Sequence, residues 1–215
     1  MKEFGIQGVL SIAKEMGSGV YSLFNTGLEL MPYLGRMVQT VKFNRLSRRM
    51  DENSMQLHRI GQLSRDSILA EEYISQRIFP IVLADLIEEH EDAKFNLVLN
   101  GFENVFVEEN GNESIVINYF DTLRNLRYKD VKRILYLSGT TDDFPQNDLD
   151  GEEEDFIWSI DNKLERQGLV VIERTLEMMA GRGIKPSSRD RVHLTPFGMR
   201  FLKFIQLSNE KVAES

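Results

Sequence analysis

The chain has no cysteine in its 215 residues. That excludes disulfides, thiolate metal sites and cysteine nucleophiles, and it fits a reducing cytoplasm. No stretch reaches the run of about 18 uncharged apolar residues that a membrane-spanning helix needs. The opening MKEFGIQGVLSIAKEMG lacks the basic start and unbroken apolar core of a secretory leader. A cytoplasmic location is therefore the expectation. Histidine is scarce, and His58, His90 and His193 have no second ligand at metal spacing. His90 lies in EEHED, but immediate neighbours on a helix point apart, so a solvated acidic helix end is the better account. The acidic run after Thr141 resembles a calcium loop in composition only: counted from Asp148, position six is Glu153 rather than glycine. There is no Gly-rich phosphate loop, Walker lysine or nucleophile elbow. No catalytic residue, cofactor, metal or small-molecule substrate is expected, and the reading is of a non-enzyme.

What is present is enough apolar material for a core: 41% of residues are hydrophobic. The net charge of −8 argues against bulk attraction to nucleic acid. Its placement is uneven. Residues 140–155 hold eight acids and no base, and the segments on either end of the chain are mildly basic.

The first half reads as helices. Phe4, Val9, Ile12, Met16, Val20, Leu23 and Phe24 recur at three or four, with a break expected at Gly17-Ser18-Gly19. Leu34 to Leu46 continues the pattern. Asp51 to about Ala70 gives another helix, carried by Met55, Leu57, Ile60, Leu63 and Ile68, and residues 71–91 one more, kinked or restarted at Pro80. Residues 92–107 place Phe95, Leu99, Phe102 and Phe106 on one side. Asn110-Gly111-Asn112 is a turn. Ser114 to Leu126 opens with β-branched residues, but Ile115, Tyr119, Phe120 and Leu123 repeat at helical spacing, so helix is favoured.

The second half has a different rhythm. Arg127 to Gly139 is a helix with Val131, Ile134, Leu135 and Leu137 inward. Residues 140–155 form an acidic loop too polar to pack. Asp155 caps a helix whose stripe is Ile157, Ile160 and Leu164 and whose left-handed stop is Gly168. Leu169 to Thr175 is a strand, residues 178–190 a flexible tip, and Arg191 to Thr195 the return strand. Thr195 then caps a closing helix with Pro196 in its first turn and Phe197, Phe201, Phe204 and Ile205 on its buried face. The fold class is mainly α: a helical N-terminal bundle over residues 1–110, then a winged-helix-like unit over 111–215 with a two-stranded β-hairpin.

Two basic groups are candidate contacts. Around the wing lie Arg182, Lys185, Arg189 and Arg191, a candidate nucleic-acid or partner contact. In the first half Arg36, Lys42, Arg45, Arg48 and Arg49 share a stretch with no acid; this is either a helix whose long side chains cover its neighbours, or a membrane-surface or partner contact. DNA binding would send the helix after the acidic loop into the major groove. Asp150 and Glu152 to Asp155 stand at that end, where phosphate contact needs Lys and Arg. Protein contact is favoured over DNA.

The run FDTLRNLRYKDVKRILYLSG, then NKLERQGLVV, then RVHLTPFGMRFLKF, resembles the C-terminal half of the bacterial abortive-infection alpha (Abi-alpha) proteins. The resemblance covers about residues 70–207. It is carried by Leu164, Gly168 and Leu169 and by Leu194, Thr195, Pro196, Phe197 and Gly198. It implies a role in phage defence, or a phage-borne counterpart, and brings no catalytic residue with it. The leading expectation is a bacterial or phage-encoded interaction protein that binds a protein partner or self-associates. The alternatives are a winged-helix transcription regulator and a membrane-surface effector acting through the N-terminal helices.

Overall fold

A computed structural model describes residues 5–30, 36–144, 151–174 and 191–206, without the side chains of residues 36–40. The helices are α1 (Ile6–Glu15), α2 (Ser18–Leu30), α3 (Arg36–Glu52), α4 (Ser54–Asp66), α5 (Phe79–Glu88), α6 (Asp92–Val107), α7 (Glu113–Asn125), α8 (Tyr128–Leu137), α9 (Gly151–Arg166) and α10 (Pro196–Ile205). A π-helical turn, Tyr73–Ile78, runs directly into α5. Strands β1 (Val170–Ile172) and β2 (Val192–Leu194) pair antiparallel, with Val170 opposite Leu194, Val171 opposite His193 and Ile172 opposite Val192. The protein is mainly α with one hairpin near its C-terminus.

The chain divides into two compact units. The first joins Met1–Asn125 to the residues from Phe204 onward, and the second is Leu126–Lys203. The sequence reading placed the change at residue 110. The division observed puts α7 with the first unit, where it packs against α5, α6 and the π-helical turn.

The first unit is built around close helix crossings and a line of rings. The break between α1 and α2 falls at Gly17, whose φ of 115° is in the region only glycine enters easily. Gly19 on α2 faces Gly61 on α4; a Cβ on Gly19 would lie 2.6 Å from the Gly61 carbonyl oxygen. Phe24, Phe79, Phe102 and Phe106 follow one another with centroids 5.1, 5.3 and 5.1 Å apart, linking α2, α5 and α6. The two edge-to-face pairs, Phe24–Phe79 and Phe102–Phe106, add about 0.5–1.5 kcal/mol each beyond the area they bury.

Pro80 stands in the first turn of α5, where the restart was expected. Its ring crowds the carbonyl four residues back and supplies no N–H. The turn just before it widens into π-helix, which gives the ring room.

Helix α6 departs from the one-sided pattern expected. Residues 101–106 are all buried, Glu103 and Asn104 included. Gly101 allows this, because the Phe204 ring rests where its Cβ would be, 2.6 Å from the nearest ring carbon. Phe204 stacks on Tyr119 at 4.8 Å and meets Phe120 edge-on at 5.1 Å. Asn104 Nδ2 donates to the Phe204 and Gln206 carbonyls, each at 2.7 Å, and Asn100 Nδ2 to the Ile205 carbonyl at 3.0 Å. Two carboxamides one turn apart thus satisfy the carbonyls left open at the end of α10. Glu103 is met by Arg59 Nε at 3.0 Å and Gln56 Nε2 at 2.8 Å.

In the second unit, α8 starts where Asp130 accepts the Arg127 amide at 2.7 Å. Helices α8 and α9 stop alike: Gly139 has φ 79° and Gly168 φ 70°. Beyond Gly168 the Leu169 amide returns to the Leu164 carbonyl at 3.0 Å, closing the last turn. Helix α9 begins earlier than expected. Gly151 opens it, so Glu152, Glu153 and Glu154 belong to its first turn and are not loop. Carboxylates there are stabilised by the positive end of the helix, and glutamate is a good helix former. Residues 145–150 of the expected acidic loop lie outside the described residues.

Candidate functional site

The basic stretch of α3 is spent inside the first unit. Phe43, Leu46 and Met50 bury one side of the helix. The charged side lies on the junction between α5 and α6, the EEHED segment. Arg45 donates to the Ile87 carbonyl at 3.0 Å and to His90 Nδ1 at 3.1 Å. Arg49, 1% exposed, donates to the Glu89 and His90 carbonyls at 2.7 and 3.1 Å. It also bonds Asp92 through Nε at 2.7 Å and covers the Phe95 ring. Lys42 pairs with Glu88 at 2.5 Å, and Arg48 with Glu52 at 2.7 Å. Arg36 opens α3, and its side chain is not among those described.

These contacts cap the carbonyl end of α5 with guanidinium groups, which suits the negative end of a helix. A buried Arg49 offers nothing to a lipid headgroup. Arg45 has its guanidinium on a carbonyl and a ring nitrogen of its own chain. Of the stretch, Lys42, Arg45 and Arg49 are thus engaged by α5 and the segment after it, while Arg48 stays half exposed.

The EEHED acids have structural work too. Glu89 Oε1 accepts the amides of His90 and Glu91 at 2.7 and 2.9 Å, and Oε2 pairs with buried Lys94 at 2.7 Å. Burial pushes the Glu89 carboxyl upward, but the Glu91 amide and the Lys94 ammonium outweigh it and hold the group below the usual range. His58 Nδ1 donates to the Met16 carbonyl at the end of α1, 3.0 Å away. His193 is exposed on β2, with Nε2 3.2 Å from Glu173 Oε1. Among the described residues no three histidine, aspartate or glutamate side chains converge on a metal position.

Of the wing residues, Arg182, Lys185 and Arg189 lie outside the described residues. Arg191 is described and exposed, at the foot of β2.

The residues that carried the family resemblance hold the base of the hairpin. Thr195 Oγ1 donates to the Gly168 carbonyl at 2.6 Å and accepts the Gly198 amide at 2.9 Å, capping α10. The Thr195 amide donates to the Leu169 carbonyl at 3.0 Å. Gly198 sits against that same carbonyl: a Cβ there would lie 2.1 Å from the oxygen. The Gly-Leu step and the Leu-Thr-Pro-Phe-Gly step are thus two halves of one joint.

A buried charge pair went unforeseen. Arg133 on α8 meets Asp161 on α9 with two parallel bonds of 2.8 Å, and both side chains are fully buried. Tyr136 and Phe144 lie 5.5 and 5.3 Å from the guanidinium carbon. Burial raises the Asp161 carboxyl against the pull of Arg133. The only sequence signal was an arginine four residues before Leu137, on the inward face of its helix.

The solvent side of α9 is also described at its N-terminal end. Glu152, Glu153, Asp155 and Phe156 are exposed at its N-terminal end, and Phe156 is 46% accessible. Lys129 Nζ lies 4.7 Å from the centre of that ring. Further along, Lys163 is paired with Asp130 at 2.5 Å, and Glu165 with Arg174. The face therefore combines carboxylates, one half-open aromatic ring under Lys129, and the Lys163 and Arg174 cations paired with acids of the same unit.

No helix among the described residues is long and apolar enough to cross a membrane. No family model matches the chain, and neither a curated protein nor a solved structure matches it.

Proposed function

We propose that this is a non-enzymatic interaction protein, bacterial or phage-borne, whose winged-helix-like unit binds a protein partner through α9. The observation that carries this is the exposed first turn of α9. A winged helix that reads DNA brings that end of its second helix to the base edges and flanking phosphates. Here the end carries Glu152, Glu153 and Asp155, which repel phosphate where cations are needed. A half-exposed aromatic ring flanked by charge is instead the composition of protein contact surfaces.

Two measurements test the reading. Fluorescence anisotropy with a random-sequence duplex should show no binding at nanomolar protein in low salt; salt-sensitive binding there overturns the proposal in favour of a DNA regulator. A photo-crosslinking residue in place of Phe156 should capture a protein in expressing cells, and Glu153→Lys with Asp155→Lys should abolish the product. Products unchanged by the charge reversal would remove α9 as the binding face.

The assignment to phage defence rests on the family resemblance alone. It predicts fewer phage plaques on bacteria expressing the chain than on vector controls. Equal plaque numbers across a phage panel would withdraw it.

A further inference from the structure

We draw no further inference here: the strongest candidate, the open serine-lined cleft of the first unit between the start of α2, the end of α4 and the π-helical turn, has no buried polar side chain among its lining residues, and nothing in the structure shows what fills it.

Discussion

At the scale of single residues, the second unit depends on a close approach and a buried charge pair. Gly198→Ala places a methyl group against the Leu169 carbonyl, and backbone cannot yield as a side-chain end can. The expected loss is about 1–3 kcal/mol, read as a lower urea midpoint for the second unit. Arg133→Met leaves Asp161 buried without its partner, which costs about 3–5 kcal/mol. Arg133→Met combined with Asp161→Leu should recover most of that loss. A double variant as unstable as the single one would show that the pair contributes more than mutual neutralisation. In the first unit, Glu89 carries a pH dependence. Its carboxyl lies below the ordinary 4.5 when folded, so its contribution is present above that value and lost as pH falls through the folded one. Acid unfolding followed from pH 6 to pH 3 should therefore be shallower in Glu89→Gln than in the unmodified chain. Identical slopes would exclude Glu89 as a contributor.

At the scale of elements, most helices were legible because their apolar residues repeat at three and four. Helix α7 is the sharpest case: Ile115, Val116 and Ile117 favour a strand by type, yet Val116, Tyr119, Phe120 and Leu123 are buried along one helical face, with Val116 in the place expected for Ile115, which is exposed. Spacing outweighed propensity because burial of four large side chains is worth several kcal/mol and strand preference only about one. Two elements were misjudged for physical reasons. Helix α9 starts at Gly151 because acids stabilise a helix start as readily as they fill a loop. The second half of α6 is buried on all sides, since Asn100, Gly101 and Asn104 receive the end of α10. That contact joins positions about a hundred apart in sequence, beyond the reach of any local pattern. Asn104→Ala leaves the Phe204 and Gln206 carbonyls without their donor. It should cost about 1–3 kcal/mol, with faster amide exchange in α6; unchanged exchange there would discount the clamp.

At the scale of the molecule, the first unit is not contiguous in sequence. It needs Phe204 to cover Tyr119 and Phe120. A fragment ending at residue 125 should be less stable to heat than the first unit of the full chain, because it exposes those rings and leaves the Asn100 and Asn104 amides without their carbonyls. A fragment that melts at the same temperature would show the C-terminal residues to be dispensable. The basic stretch of α3 belongs to this scale as well. Read along the chain it is a cationic patch, and in the fold it is opposed by the α5–α6 junction some forty residues away.

The amino-acid order by itself determined the helix periodicity, the glycine stops at Gly139 and Gly168, the Thr195 cap and the extended character of the two short runs that became β1 and β2. Each of these is set by neighbours within a few residues, through rotamer, hydrogen-bond and φ preferences that act locally. Only the tertiary structure decided which charges face solvent. Arg49, Arg133, Glu103 and Asp161 look like surface residues until a distant partner neutralises them, whereas Glu152, Glu153 and Asp155 stay exposed at the start of α9. Charge compensation acts through space, so which charges stay on the surface is settled only when the chain has folded.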